Sequence, residues 1–168
     1  YWTPDLILAV AATLFTGSLG LLDDIESVAH KRSLGLTPAQ RMVGLIGISV
    51  VFCLLAVNVC GVSASVEFPG GLNVDLGVLT THLDVAGVQL DVPWLYLVFV
   101  FFLMAGLSNA VNLTDGLDGL AGGSVLVVML MMAMVAFSYN EVNLAVFAAS
   151  LAGALIGFLW YNCYPAQI

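Results

Sequence analysis

Long apolar runs, each bounded by a short polar cluster, organise this chain. Five uncharged stretches run Leu6–Leu22, Met42–Val62, Val92–Thr114, Gly119–Asn140 and Val142–Ile168. Crossing a bilayer core of about 30 Å takes roughly 17–25 helical residues. Lipid offers the backbone no hydrogen-bonding partner, so each stretch predicts a membrane-spanning helix. The third stretch ends polar and the fifth exceeds one crossing, which trims the spans to about 5–22, 42–62, 92–111, 118–138 and 143–161.

The interval 63–91 reads differently. Val66-Glu67-Phe68-Pro69-Gly70-Gly71 contains a turn signal, and Leu83–Val92 alternates apolar and polar residues about Ala86-Gly87. That alternation predicts a small β-hairpin. The acids of this loop (Glu67, Asp75, Asp84 and Asp91) and His82 read as solvated rather than catalytic. The expected fold class is therefore an all-α polytopic membrane protein. Residues 1–168 form one transmembrane domain of five helices, with an extracytoplasmic hairpin in loop 63–91.

Composition agrees with this class. Of 168 residues 61% are hydrophobic and 8% charged, with a mean hydropathy of +1.09. A soluble domain holds roughly 45–50% apolar residues. Three Lys+Arg against eleven Asp+Glu leave a net charge of −8, which lacks the basic footprint that nucleic acid requires. Cys53, Cys60 and Cys163 show no metal-like spacing and read as packing residues. The first span has no basic n-region and no small-residue cleavage site, so it is not read as a signal peptide. The chain opens without Met and closes directly after a span, and an internal fragment of a longer protein is expected.

Charge also sets orientation. Lys31, Arg32 and Arg41 all follow the first span, and the positive-inside rule places that connection in the cytoplasm. Counting crossings then brings Asp23, Asp24, Asn112, Asp115, Asp118 and Asn162 to the cytoplasmic face and leaves 63–91 outside.

These polar residues carry the candidate chemistry. Asp23-Asp24 fall where the first apolar stretch ends, at the expected negative end of a helix dipole. Like charges there are unfavourable, so a role in holding a cation or supplying a base is the better account. Asn109, Asn112, Asp115 and Asp118 recur every third residue across a junction broken by Gly116 and Gly119. The glycines permit a tight turn and close approach of a ligand to the backbone. The start of the next helix then offers its positive dipole end to an anion. Hard oxygen ligands select Mg²⁺, held by one or two carboxylates and substrate phosphate oxygens. Asn162 ends the fifth span and adds another oxygen donor. The pattern points to a Mg²⁺-bridged diphosphate substrate.

Three segments carry a resemblance: Gly20-Leu21-Leu22-Asp23-Asp24 with Lys31–Arg41, Asn109–Ala121, and Gly157–Gln167. In order and spacing they resemble the phospho-N-acetylmuramoyl-pentapeptide transferase family, within the polyprenyl-phosphate N-acetylhexosamine-1-phosphate transferase superfamily. The resemblance covers nearly the whole chain. It implies a bacterial inner-membrane enzyme of about ten transmembrane helices with a cytoplasmic active site. Such an enzyme transfers phospho-MurNAc-pentapeptide from UDP-MurNAc-pentapeptide to undecaprenyl phosphate, forming lipid I and UMP in peptidoglycan synthesis. It also implies roles: Asp23 and Asp24 catalytic, Asn112, Asp115, Asp118 and Arg41 substrate-binding, and Asp115, Asp118 and Asn162 near Mg²⁺. Arg41 stands where relatives often carry Lys. The family's first two spans, a Met-Gly-Asp segment and a His-rich loop lie outside this sequence, so the fragment is expected to be inactive alone. A homodimer is left open. The alternatives are a related UDP-N-acetylhexosamine transferase and a non-enzymatic transporter, although a transporter would bury its polar residues near mid-membrane.

Overall fold

A computed structural model describes residues 2–30, 35–68, 70–85 and 87–165. Lys31, Arg32, Pro69, Ala86 and the terminal Ala166-Gln167-Ile168, all used in the sequence argument, lie outside the described residues. The elements run α1 (Pro4–His30), α2 (Pro38–Asn58), β1 (Ser65–Phe68), β2 (Leu72–Asp75), a 3₁₀ turn (Gly77–Leu79), β3 (Thr80–Val85), β4 (Val88–Pro93), α3 (Trp94–Thr114), α4 (Leu120–Ser138) and α5 (Val142–Asn162). Each of the five helices is long and apolar enough to cross a membrane, as the hydropathy pattern predicts. The chain resolves into two compact units. One covers Ile7–Ala105, and the other comprises the chain from Gly106 onward with the first few residues.

Helix ends depart from the hydropathy pattern for identifiable reasons. Helix α2 begins four residues before the expected span, because Thr37-Pro38-Ala39-Gln40 forms a capping box. The Thr37 hydroxyl accepts from the Gln40 N–H at 3.3 Å, and the Thr37 N–H donates to Gln40 Oε1 at 2.9 Å. Such a cap stabilises a helix by about 0.5–2 kcal/mol. The same helix stops at Asn58 although apolar residues continue to Val62, because Gly61 takes φ +68° and turns the chain. Helix α1 corrects a further expectation. It does not end at Asp23-Asp24 but runs two turns past them to His30, since Ile25–Ala29 contain no helix breaker. The two acids therefore do not face the negative end of the dipole.

Within the unit Ile7–Ala105, one face of α2 supplies the core: Leu45, Ser49, Cys53 and Ala56 are buried. Ser49 is wholly enclosed, and its hydroxyl donates to the Leu45 carbonyl at 2.7 Å and lies 3.3 Å from Met104 Sδ of α3. Gly44 lets α1 approach, since a Cβ there would meet Leu19 Cδ1 at 2.8 Å. In the second unit α4 and α5 form an antiparallel pair. Asn140, at φ +65°, makes the reversal, a conformation Asn tolerates better than most residues. Small residues line the contact: Ala121 and Gly122 on α4, and Ala145, Ala148 and Ala152 on α5. Such residues let helix backbones approach closely where lipid supplies no hydrophobic drive.

Loop 63–91 folds into two antiparallel hairpins, β1–β2 and β3–β4. The second is the expected one, with Asp84 opposite Gln89. The first, around Gly70-Gly71 at φ +102° and +83°, answers to the turn signal alone. Hairpin β3–β4 is fastened to the end of α2. Asn58 Oδ1 accepts from the Asp91 N–H at 2.7 Å, and its Nδ2 donates to the Asp91 carbonyl at 2.9 Å. Across the strands His82 Nδ1 lies 2.5 Å from Asp91 Oδ1.

Candidate active site

The expected residues fall in the two units. In the first, α1 presents Asp23 and Asp24 side by side. Asp23 is held from α2 and the segment before it. Arg41 Nε donates to Asp23 Oδ1 at 3.0 Å, Arg41 Nη2 donates to Asp23 Oδ2, and the Leu36 N–H donates to Oδ1 at 2.7 Å. The guanidinium fork meets the carboxylate with two parallel bonds, the strong and directional form of this pairing. Asp23 is mostly covered, its side chain 15% exposed. Asp24 is exposed.

Gly35 makes this arrangement possible. A Cβ on it would run into the Asp23 backbone carbonyl and come within 2.7 Å of Asp23 Oδ1. Arg41, expected at the substrate, has a carboxylate partner in Asp23, and Gly35 and the Leu36 N–H meet the same acid. The signal for them was slight: a glycine two residues ahead of an N-cap threonine.

The consequence is measurable. Arg41→Ala should lower the thermal midpoint of the detergent-solubilised protein by about 2–4 °C, the scale of roughly 1 kcal/mol in a chain of this size. Arg41→Lys should recover only part, because an ammonium cannot form the fork. Gly35→Ala should cost at least as much as Arg41→Ala. Equal midpoints for all four proteins would mean that the clasp contributes nothing.

In the second unit, Asn112 lies exposed on the last turns of α3, and Asp115 to Gly119 form the turn into α4. The Asp115 N–H still donates to the Val111 carbonyl at 3.1 Å, so the helical path persists to that acid before the turn breaks it. Both carboxylates, Asp115 and Asp118, are exposed. Gly119 is the N-cap of α4 at φ +75°, and its N–H donates to Asn162 Oδ1 at 3.0 Å. A Cβ at Gly119 would lie 3.4 Å from Cys163 Sγ. Asn162 is thereby brought to the start of α4, through a contact that also ties the two helix ends together.

The donors available here (two carboxylates, two carboxamides and backbone N–H groups at a helix start) suit Mg²⁺ and phosphate by chemistry. Among the described residues no three His, Cys, Asp or Glu side chains are gathered to hold a metal. Asp115 and Asp118 would therefore need oxygens from a substrate or from further protein ligands to complete an octahedral set.

Five apolar helices, with acids and amides on their last turns and at the α3–α4 junction, define a polytopic membrane protein. The chain belongs to glycosyl transferase family 4, which it matches over residues 6–168. The phospho-N-acetylmuramoyl-pentapeptide-transferase of Bacillus pumilus is 36% identical over 166 residues, covering 99% of this chain and 46% of the relative. Those of Bacillus subtilis and Halalkalibacterium halodurans are 36% and 37% identical, covering 99% and 98% of this chain and 46% of each relative. The chain thus spans about half the length of the curated relatives it matches.

Proposed function

We propose that the full-length protein transfers phospho-MurNAc-pentapeptide from UDP-MurNAc-pentapeptide to undecaprenyl phosphate. A phosphate oxygen of the lipid attacks the sugar-bearing phosphorus of the donor. The bond from that phosphorus to the bridging oxygen breaks, and UMP leaves with the bond's electrons, giving lipid I. The observation that carries this reading is the match to family members bearing that transferase name along nearly the whole chain.

The residues support a division of labour. Asp24, exposed on α1 just past its apolar part, is suited to meet a lipid phosphate at the membrane surface. Asp23, held by Arg41 and Leu36, fixes that end of α1 and keeps Arg41 beside the acids. Asn112, Asp115, Asp118 and the start of α4 suit the soluble donor's diphosphate, and Asp115, Asp118 and Asn162 are the residues that would hold Mg²⁺. When bound, Mg²⁺ would neutralise charge that develops on the departing diphosphate oxygen. Arg41, with Lys31 and Arg32, supports a cytoplasmic position for the site in the bacterial inner membrane.

The test is release of UMP by the full-length protein in membranes supplied with undecaprenyl phosphate. UMP should appear with UDP-MurNAc-pentapeptide and Mg²⁺ and not with UDP-N-acetylglucosamine. Residues 1–168 alone should release none, since the relatives are about twice as long. Turnover of UDP-N-acetylglucosamine instead would move the protein to the N-acetylhexosamine branch.

A further inference from the structure

Hairpin β1–β2 has two unlike faces. Alternate residues of a strand point to opposite sides. The register pairs Val66 with Val74 and Phe68 with Leu72 on one face, and Ser65 with Asp75 and Glu67 with Asn73 on the other. The apolar face is largely uncovered: Phe68 is 48% exposed, Leu72 63% and Val74 38%. Val78 and Leu79 in the following 3₁₀ turn are exposed as well. Both carboxylates of this hairpin, Glu67 and Asp75, lie on the opposite face.

A contiguous apolar face on an isolated two-stranded hairpin is unfavourable in water and marks an interaction surface. Its position says what covers it. The chain leaving α2 folds back on the helix end rather than away from it. The Cys60 N–H donates to the Leu55 carbonyl at 3.1 Å and the Val62 N–H to the Ala56 carbonyl at 3.0 Å. Two residues later the Ala64 carbonyl accepts from the Leu76 N–H at 2.9 Å and closes the base of the hairpin. The far end of the loop is tied down as well, by Asn58 on Asp91 and by Trp94, whose indole N–H donates to Thr81 Oγ1 at 2.9 Å. Trp94 opens α3, the place in a span where indoles favour the lipid headgroup level. The hairpin is therefore tethered at the level where helices of this protein pass from lipid to water. Between the end of α2 and the hairpin, Val59 and Val62 are exposed as well, so exposed apolar residues run along the chain from the span to the hairpin.

We propose that Val66, Phe68, Leu72 and Val74 rest in the interfacial layer of the bilayer, so that hairpin β1–β2 is a membrane-surface anchor at the end of α2. The depth is shallow, because the outer N–H and C=O groups of a two-stranded ribbon need water that the hydrocarbon core does not hold. The absence of a carboxylate on the inserted face removes the main cost of such an insertion. This inference rests on the membrane-spanning fold and not on the transfer reaction.

Spin labels placed singly through Glu67→Cys, Phe68→Cys, Leu72→Cys and Asn73→Cys, in a background with Cys53, Cys60 and Cys163 replaced, test it in liposomes of phosphatidylethanolamine and phosphatidylglycerol. Collision with a water-soluble nickel chelate should be about threefold or more weaker at 68 and 72 than at 67 and 73, with oxygen collision reversed, the alternation expected of an amphipathic element lying in the interface. Equal nickel accessibility at all four positions would overturn the proposal in favour of a solvated hairpin. Positions 68 and 72 shielded from both reagents would overturn it in favour of a protein partner. The protein with its natural cysteines provides a second measurement. A diazirine carried on the lipid headgroup should label Phe68 and Leu72 in preference to Glu67 and Asn73, and labelling confined to α2 and α3 would count against the anchor.

Discussion

Asp24→Asn in the full-length protein is expected to lower kcat by about 10²–10⁴-fold, the usual cost of losing a proton-transfer or phosphate-orienting carboxylate. KM for the UDP-linked donor should change little, because the loss falls on the transition state rather than on ground-state binding of that substrate. Successive residues on α1 are turned by about 100°, so neighbours cannot both face α2. Asp23 faces it, with its oxygens taken by Arg41 and the Leu36 N–H. Asp24 is left exposed beyond the apolar part of the span, where a lipid phosphate would lie. A phosphate monoester is already largely ionised near neutral pH, so orientation and deprotonation have to be separated. The pH–rate profile does so: loss of the acidic limb in Asp24→Asn identifies a base, and a uniform drop identifies an orienting group. Near-normal turnover with an unchanged acidic limb would remove Asp24 from the mechanism.

The membrane spans were legible because lipid imposes one rule on every residue of a crossing. Uncharged length alone found all five helices. Their ends were less legible, because capping is local chemistry that hydropathy ignores. Thr37 and Gln40 start α2 inside a stretch that reads as polar, and Gly61 stops it inside one that reads as apolar. Val66–Gly71 reads only as a turn, because its glycine pair marks a reversal without announcing the two paired strands around it. At the site, residue types were informative because charged residues are scarce here, so each acid invites an explanation. The partner of Arg41 was not legible. Asp23 lies 18 positions earlier, and only the return of the chain through Gly35 to the first turn of α2 brings the guanidinium onto it. The Gly119–Asn162 contact is hidden for the same reason, since it depends on α4 and α5 packing as a pair.

Asp115→Asn and Asp118→Asn should shift the Mg²⁺ requirement, whereas Asp24→Asn should not. Each is expected to weaken apparent metal affinity by about 10–100-fold, the scale on which a metal site responds to losing a supporting oxygen. KM for the UDP-linked donor should rise in step, because a Mg²⁺ bound there would be shared between these carboxylates and the donor's phosphate oxygens. Both acids are exposed in the turn between α3 and α4, where a soluble donor can reach them. Asn162 offers the internal comparison. Its Oδ1 accepts the Gly119 N–H, so Asn162→Ala should loosen the start of α4 and lower the thermal midpoint. Its effect on the Mg²⁺ requirement should be smaller than that of either acid. Titrating Mg²⁺ at fixed donor concentration across the three variants resolves the order. If Asn162→Ala shifts the requirement as far as Asp115→Asn, the amide is a principal ligand rather than a tie between helix ends. If neither acid shifts it, the α3–α4 turn does not hold the metal, and the ligands have to be sought in other parts of the full-length protein.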